Sequence, residues 1–313
     1  MQLPLLMKLH TQRLAHGLTM EGIYEYLLIS RQGFYKAVKR LKAEQNMMAQ
    51  IQKLVLVYRL KKDRRAGSRS LYYNLGIKNK YGIGVTKFEN LMSQYGLTLV
   101  PCRIKVVTTQ SCLQSWNYSN LCNGLVINNI NQLVVGDITY IVIGKVRYYL
   151  FCLTDVYSER IGGYHLSQRM RKQEGLSALK MLIKLRGDKS LTNCIHHTDG
   201  GGQYFSGDYL EVTSNINMQT SVARSCLENG YAEQKNGFLK NHLLPTLEHN
   251  EGKGLVQSLK KAVEFYNSER KQQELGWLSP VEFERAIEKN QIKQELTLHD
   301  HINNIPSKRE RFF

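Results

Sequence analysis

Residues 133–143 read Leu-Val-Val-Gly-Asp-Ile-Thr-Tyr-Ile-Val-Ile, a run rich in β-branched side chains with an aspartate, Asp137, in its middle. Such side chains fit a pleated, half-buried surface from which Asp is normally depleted. Burying a carboxylate without a partner or a metal is costly, so its presence there asks for one or the other. Gly144-Lys145 makes a turn, 146–154 a second strand and 161–166 a third. Residues 171–186 then read as an amphipathic helix and 191–197 as a short buried strand.

Two further acidic residues sit in unusual settings. Asp199 closes Ile195-His196-His197-Thr198-Asp199 and opens Gly200-Gly201-Gly202-Gln203-Tyr204. Glu233 ends Glu228-Asn229-Gly230-Tyr231-Ala232-Glu233, with Gly237-Phe238-Leu239-Lys240 following on a helix. Alone, Asp199 fits an ordinary Asp-Gly turn and Glu233 a solvated helix face. Taken in order, they fall after strand four and on a later helix, with Asp137 in strand one. Three strands, then helix, strand and helices, is the chain order of a ribonuclease-H-like domain. The expected class is therefore α/β, with a ribonuclease-H-like mixed-sheet core behind an all-α helix-turn-helix N-terminal region. Three converging carboxylates make a hard-oxygen cage for Mg²⁺ or Mn²⁺, the metals of phosphodiester chemistry.

Asn229, Glu233, Asn236, Gly237 and Lys240 recur at helical spacing on one face. There Gly237 would admit a backbone, while Asn236 and Lys240 are candidate DNA contacts. Of His196 and His197, one is expected in the core and the other near DNA or water. Zinc-type Cys/His spacing is missing, so neither is assigned as a ligand.

The basic charge is concentrated. Residues 1–105 carry 19 Lys and Arg against 5 Asp and Glu, so +14 of the net +17 lies in this third of the chain. A polyanionic partner, DNA, follows. Residues 19–40 read as a helix-turn-helix, with Ser30 capping a second helix whose Arg31 and Gln32 face base edges. Lys36, Lys39 and Arg40 face phosphates, as do Arg64 and Arg65 further on. The division expected is 1–47 helix-turn-helix, 48–105 second helical unit, 106–130 linker, 131–290 catalytic core and 291–313 tail. Scattered cysteines, no apolar run of membrane length and no signal-peptide order suggest a soluble cytoplasmic protein with no membrane partner.

These motifs resemble a family: the DDE transposases encoded by the second reading frame of two-frame bacterial insertion sequences, with a core related to retroviral integrase. The likeness rests on Val135-Gly136-Asp137-Ile138-Thr139-Tyr140-Ile141, Tyr148-Tyr149-Leu150 with Asp155-Val156-Tyr157-Ser158, and the stretches around Asp199 and Glu233. Tyr266-Asn267-Ser268-Glu269-Arg270 and Leu275-Gly276-Trp277-Leu278-Ser279-Pro280 match too. The resemblance implies Asp137, Asp199 and Glu233 as catalytic ligands of two divalent ions, Mg²⁺ or Mn²⁺. It also implies nicking at the element's terminal inverted repeats, strand transfer into target DNA, a homo-oligomer on DNA and an upstream-frame helix-turn-helix partner. An inactive or domesticated DNA-binding copy and a ribonuclease-H-like nuclease are the alternatives. The chain departs from the family's pattern at Val134, where a Trp is usual, at Glu228-Asn229-Gly230 and at Arg270-Lys271-Gln272. Its loop at Ser225-Cys226-Leu227 is also shorter.

Overall fold

The computed structural model describes residues 8, 12, 17, 19–100, 118–223, 226–244 and 253–312. The amino-terminal part is helical. Helix α1 (Met20–Leu27) is capped by the Thr19 hydroxyl and stops at Leu28, whose backbone is left-handed. Helix α2 (Arg31–Lys61) starts at Ser30, whose hydroxyl accepts the Gly33 amide at 3.1 Å. The two helices meet over Ile23, Phe34 and Val38.

Helix α2 then runs for 31 residues without interruption, straight through the boundary expected at 47/48. The physical reason is simple: Met48, Ile51, Val55 and Tyr58 continue the buried face, and after Gly33 in the first turn neither Gly nor Pro occurs in the helix. Helices α3 (Ser68–Asn74), α4 (Ile77–Tyr81) and α5 (Val85–Gln94) fold back on its second half, burying Leu71, Ile77, Phe88 and Met92. This cluster continues without a gap into Leu239, Leu243, Leu259 and Tyr266 of the core. Tyr73 stacks on Trp277 with ring centroids 3.8 Å apart, and Asn74 accepts the Lys271 amide at 2.9 Å. The second helical unit is thus docked on the core.

After a short strand β1 (Val126–Ile127) come β2 (Leu133–Ile143), β3 (Val146–Asp155) and β4 (Ile161–Ser167), each antiparallel to the next. Helix α6 (Lys172–Arg186) crosses back to β5 (Ile195–Thr198), and α7 (Gly207–Asn215) leads to β6 (Gln219–Val222). Both late strands are parallel in the sheet, whose order is β4-β3-β2-β5-β6. This is the mixed α/β, ribonuclease-H-like arrangement that the element order predicts. Gly163 lies so close to the Ala178 carbonyl that a Cβ could not fit between β4 and α6.

Helix α8 (Gly230–Phe238) passes into a π-helical turn, Leu239–Leu243. Helix α9 (Lys253–Ser268) follows, then α10 (Pro280–Glu288), started by a Ser279/Glu282 capping box. Strands β7 (Lys293–Thr297) and β8 (Lys308–Phe312) join β1 in a second sheet of order β1-β7-β8. Two segments read from sequence as linker and tail therefore belong to the folded body. Residues 118–130 and 293–312 pack Cys122, Ile127, Leu296 and Leu298 against Tyr157 and Phe283. A two-residue strand and a five-residue one carry too little local periodicity to announce a pairing between chain segments so far apart.

Candidate active site

Asp137 stands in β2, the central strand of the five-stranded sheet. Its neighbour Gly136 has no room for a side chain: a Cβ would lie 3.0 Å from Leu153 Cδ2, 3.1 Å from His196 Cε1 and 3.2 Å from Thr198 Cγ2. β5 runs parallel to β2 with Thr198 opposite Gly136, so Asp199, the next residue, emerges beside Asp137. Asp199 Oδ1 accepts the Gly201 amide at 3.1 Å, which fixes the turn leaving the strand.

Helix α8 closes the site from the other side. Asn229, at its N-terminus, donates to the Gly136 carbonyl at 3.2 Å. Two turns on, Asn236 donates from Nδ2 to Asp137 Oδ2 at 2.7 Å. Glu233 lies between these two asparagines on an exposed face.

The electrostatics tie the three carboxylates together. Burial pushes the Asp137 carboxyl up to about 6; the Asn236 bond opposes this, and the charges of Asp199 and Glu233 reinforce it. Asp199 is raised by burial, with the Gly201 bond pulling it back. Glu233 is raised by burial and then by Asp199. All three are moved towards protonation, each first by burial, with like charges adding to the shift at Asp137 and Glu233. Among the described residues no three His, Cys, Asp or Glu side chains are drawn close enough to hold one ion. An all-oxygen, carboxylate donor set of this kind fits a hard divalent cation such as Mg²⁺ or Mn²⁺.

The other candidates fall into two groups. Arg31, Gln32, Lys36, Lys39 and Arg40 are exposed on α2, and Arg64 and Arg65 are exposed just beyond it. The Arg64 amide donates to the His242 carbonyl at 3.3 Å, and Asp63 Oδ1 meets His242 Nδ1 at 2.9 Å. These contacts bring the basic loop against the π-helical turn after α8. Lys240, in that turn, lies with Nζ 4.1 Å from the Tyr140 ring centroid; the guanidinium of Arg147 is 5.2 Å from the same ring.

Asn236 and one of the two histidines differ from their expected places, since only one histidine is expected in the core. Asn236 is buried and turned onto Asp137 instead of facing DNA. Both His196 and His197 are buried, so neither is a surface contact. His196 bonds Tyr209 Oη at 2.8 Å, and His197 bonds Ser221 Oγ at 2.8 Å and the Glu228 carbonyl at 3.2 Å. Burial holds both imidazoles down at about 4, so they are neutral spacers between β5 and its neighbours.

Residues 128–226 match the integrase core domain. The matched stretch contains Asp137 and Asp199, while Glu233 lies beyond it. The chain is 32% identical over 138 residues to an uncharacterized 31 kDa protein of insertion element IS600 from Shigella sonnei, covering 43% of this chain and 50% of that one. It is 32% identical over 144 residues to a putative transposase of insertion sequence IS986/IS6110 from Mycobacterium tuberculosis, covering 44% and 52%. The chain spans about half the length of these curated relatives. Among solved structures it is similar to the HTLV-2 integrase catalytic core domain in complex with magnesium, at 21% identity and a TM-score of 0.41, covering 50% of this chain and 97% of that one.

Proposed function

We propose that this protein is the DNA transposase of an insertion sequence, catalysing metal-dependent strand cleavage and strand transfer. The observation that carries the reading is that Asp137, held by Asn236, stands in the stretch that matches the integrase core domain and feels the charges of Asp199 and Glu233. Asp137, Asp199 and Glu233 are the proposed ligands of Mg²⁺ or Mn²⁺, two ions in all. When bound, such ions supply Lewis-acid stabilisation of the attacking and leaving oxygens of an in-line displacement.

The chain's own groups do the positioning. Asn236 fixes the Asp137 carboxylate by donating one N–H to Oδ2. The Gly201 amide orients Asp199 in the same way. Arg31 and Gln32 read the element's terminal inverted repeats, while Lys36, Lys39, Arg40, Arg64 and Arg65 grip phosphates. Lys240, one helical face on from Glu233, offers a cation to the strand lying in the site. A second copy of the chain on the paired ends, an upstream-frame helix-turn-helix partner and a cytoplasmic setting complete the proposal. Among the described residues no helix is long and apolar enough to cross a membrane.

The test is strand transfer in vitro with duplexes carrying the ends of the encoding element, in Mg²⁺ and in Mn²⁺. Joined products that disappear in each of Asp137→Ala, Asp199→Ala and Glu233→Ala are expected. Joining that survives all three substitutions would overturn the assignment. Cleavage of hybrid or branched substrates without joining would support a nuclease instead.

A further inference from the structure

Helix α8 carries Glu233 and Asn236, so its rotation and depth set where both reach. Between them in the sequence lies Lys235, and it is buried. Its ammonium donates to Glu159, itself buried, in the turn between β3 and β4. Glu159 holds a left-handed backbone at φ 60°, a conformation that a non-glycine residue keeps where its surroundings over-determine it. The other oxygen of Glu159 accepts from Arg309 of β8 at 3.3 Å. Arg309 also donates to the Tyr157 carbonyl at 3.0 Å and the Val156 carbonyl at 3.3 Å.

One buried carboxylate thus joins a lysine on the active-site helix to an arginine on the last strand of the chain. A buried ammonium cannot leave its carboxylate without exposing an uncompensated charge to the interior. Lys235 therefore follows Glu159, and Arg309 fixes Glu159 by tying it to the backbone of its own turn. We propose that Arg309 is a positioning residue for the carboxylate site, acting through Glu159 and Lys235 to set the lie of α8. This rests on the reading of Asp137, Asp199 and Glu233 as metal ligands. Arg311 serves as the internal comparison. It anchors the same strand, to the Glu274 carbonyl at 3.1 Å and Gln294 at 3.1 Å, without bonding Glu159.

The experiment is Mn²⁺ titration of the full-length protein, following free Mn²⁺ by electron paramagnetic resonance, with hydrogen exchange of the α8 amides as a second readout. Arg309→Ala is expected to weaken Mn²⁺ binding about tenfold, the scale for lost ligand support, and to speed exchange in α8. Arg309→Lys, which reaches Glu159 but not both carbonyls as well, is expected to fall between. Arg311→Ala is expected to bind as the wild type does. Wild-type Mn²⁺ affinity in Arg309→Ala would overturn the proposal, as would an equal loss in Arg311→Ala. If Arg309→Ala does not fold, wild-type affinity and wild-type α8 exchange in Arg309→Lys would overturn it. Mn²⁺ uptake that is the same in wild type and Asp137→Ala would instead overturn the metal reading itself.

Discussion

The side-chain amide of Asn236 donates to Asp137 across 2.7 Å, joining helix α8 to the central strand. Asn229 makes a second bond from the same helix face to the carbonyl of Gly136, the residue before Asp137. The helix is therefore pinned to the strand on both sides of Glu233.

Asn236→Ala should lower the strand-transfer rate by about 10- to 100-fold, the range for losing the partner that orients a ligand. Asn236→Asp should do worse, since it replaces a donor with a fourth carboxylate. Single-turnover joining rates at saturating DNA check both; rates within twofold of wild type would remove Asn236 from the site.

The pH dependence follows from Asp137. Its carboxyl rises from an ordinary 3.8 to about 6, first through burial. Between those values the folded state holds more protons than the unfolded one, so stability falls as pH rises through this window. In metal-free protein this contribution should cost on the order of 3 kcal/mol by pH 7. Asp137→Asn should then melt higher than wild type at pH 7, with the gap closing near pH 4. Added Mn²⁺ should raise the wild-type melting temperature and not that of Asp137→Asn. Calorimetry at pH 4, 5.5 and 7 tests this.

His196 and His197 shift the other way. Held neutral down to about 4 by burial, they contribute stability above an ordinary 6.5 that is lost as pH falls towards 4. NMR of their ring protons should show no titration between pH 8 and pH 5. A midpoint near 6.5 for either would contradict its buried position.

Gly136→Ala should destabilise the protein by about 1–3 kcal/mol, because the new methyl meets buried Leu153, His196 and Thr198. Urea unfolding measures it, and an unchanged midpoint would mean that the sheet opens at no cost.

Arg64→Ala/Arg65→Ala should reduce the salt slope of end binding by about 2, at roughly 0.9 per phosphate released. Arg31→Ala should instead relax sequence preference with a smaller change in slope. Titrations against cognate and scrambled ends across salt separate the two.

The core was legible because its signals are local. Strand β2, the Gly144-Lys145 turn, α6 and the three carboxylates all follow from periodicity, turn chemistry and chain order within short windows. The helix cap at Ser30 is equally local, since its hydroxyl serves an amide three residues on. Tertiary structure alone decided the rest. Whether Asn236 faces DNA or Asp137 depends on where α8 settles on β2, and a helical face by itself names no partner. The pairing of β1 with β7, and the bond from Arg309 to Glu159, join segments whose short strands carry no signal of each other. The sequence determined which residues could bear charge in the interior. Packing decided which of those charges meet, because the cost of burying each one is met only by a partner the fold brings from elsewhere.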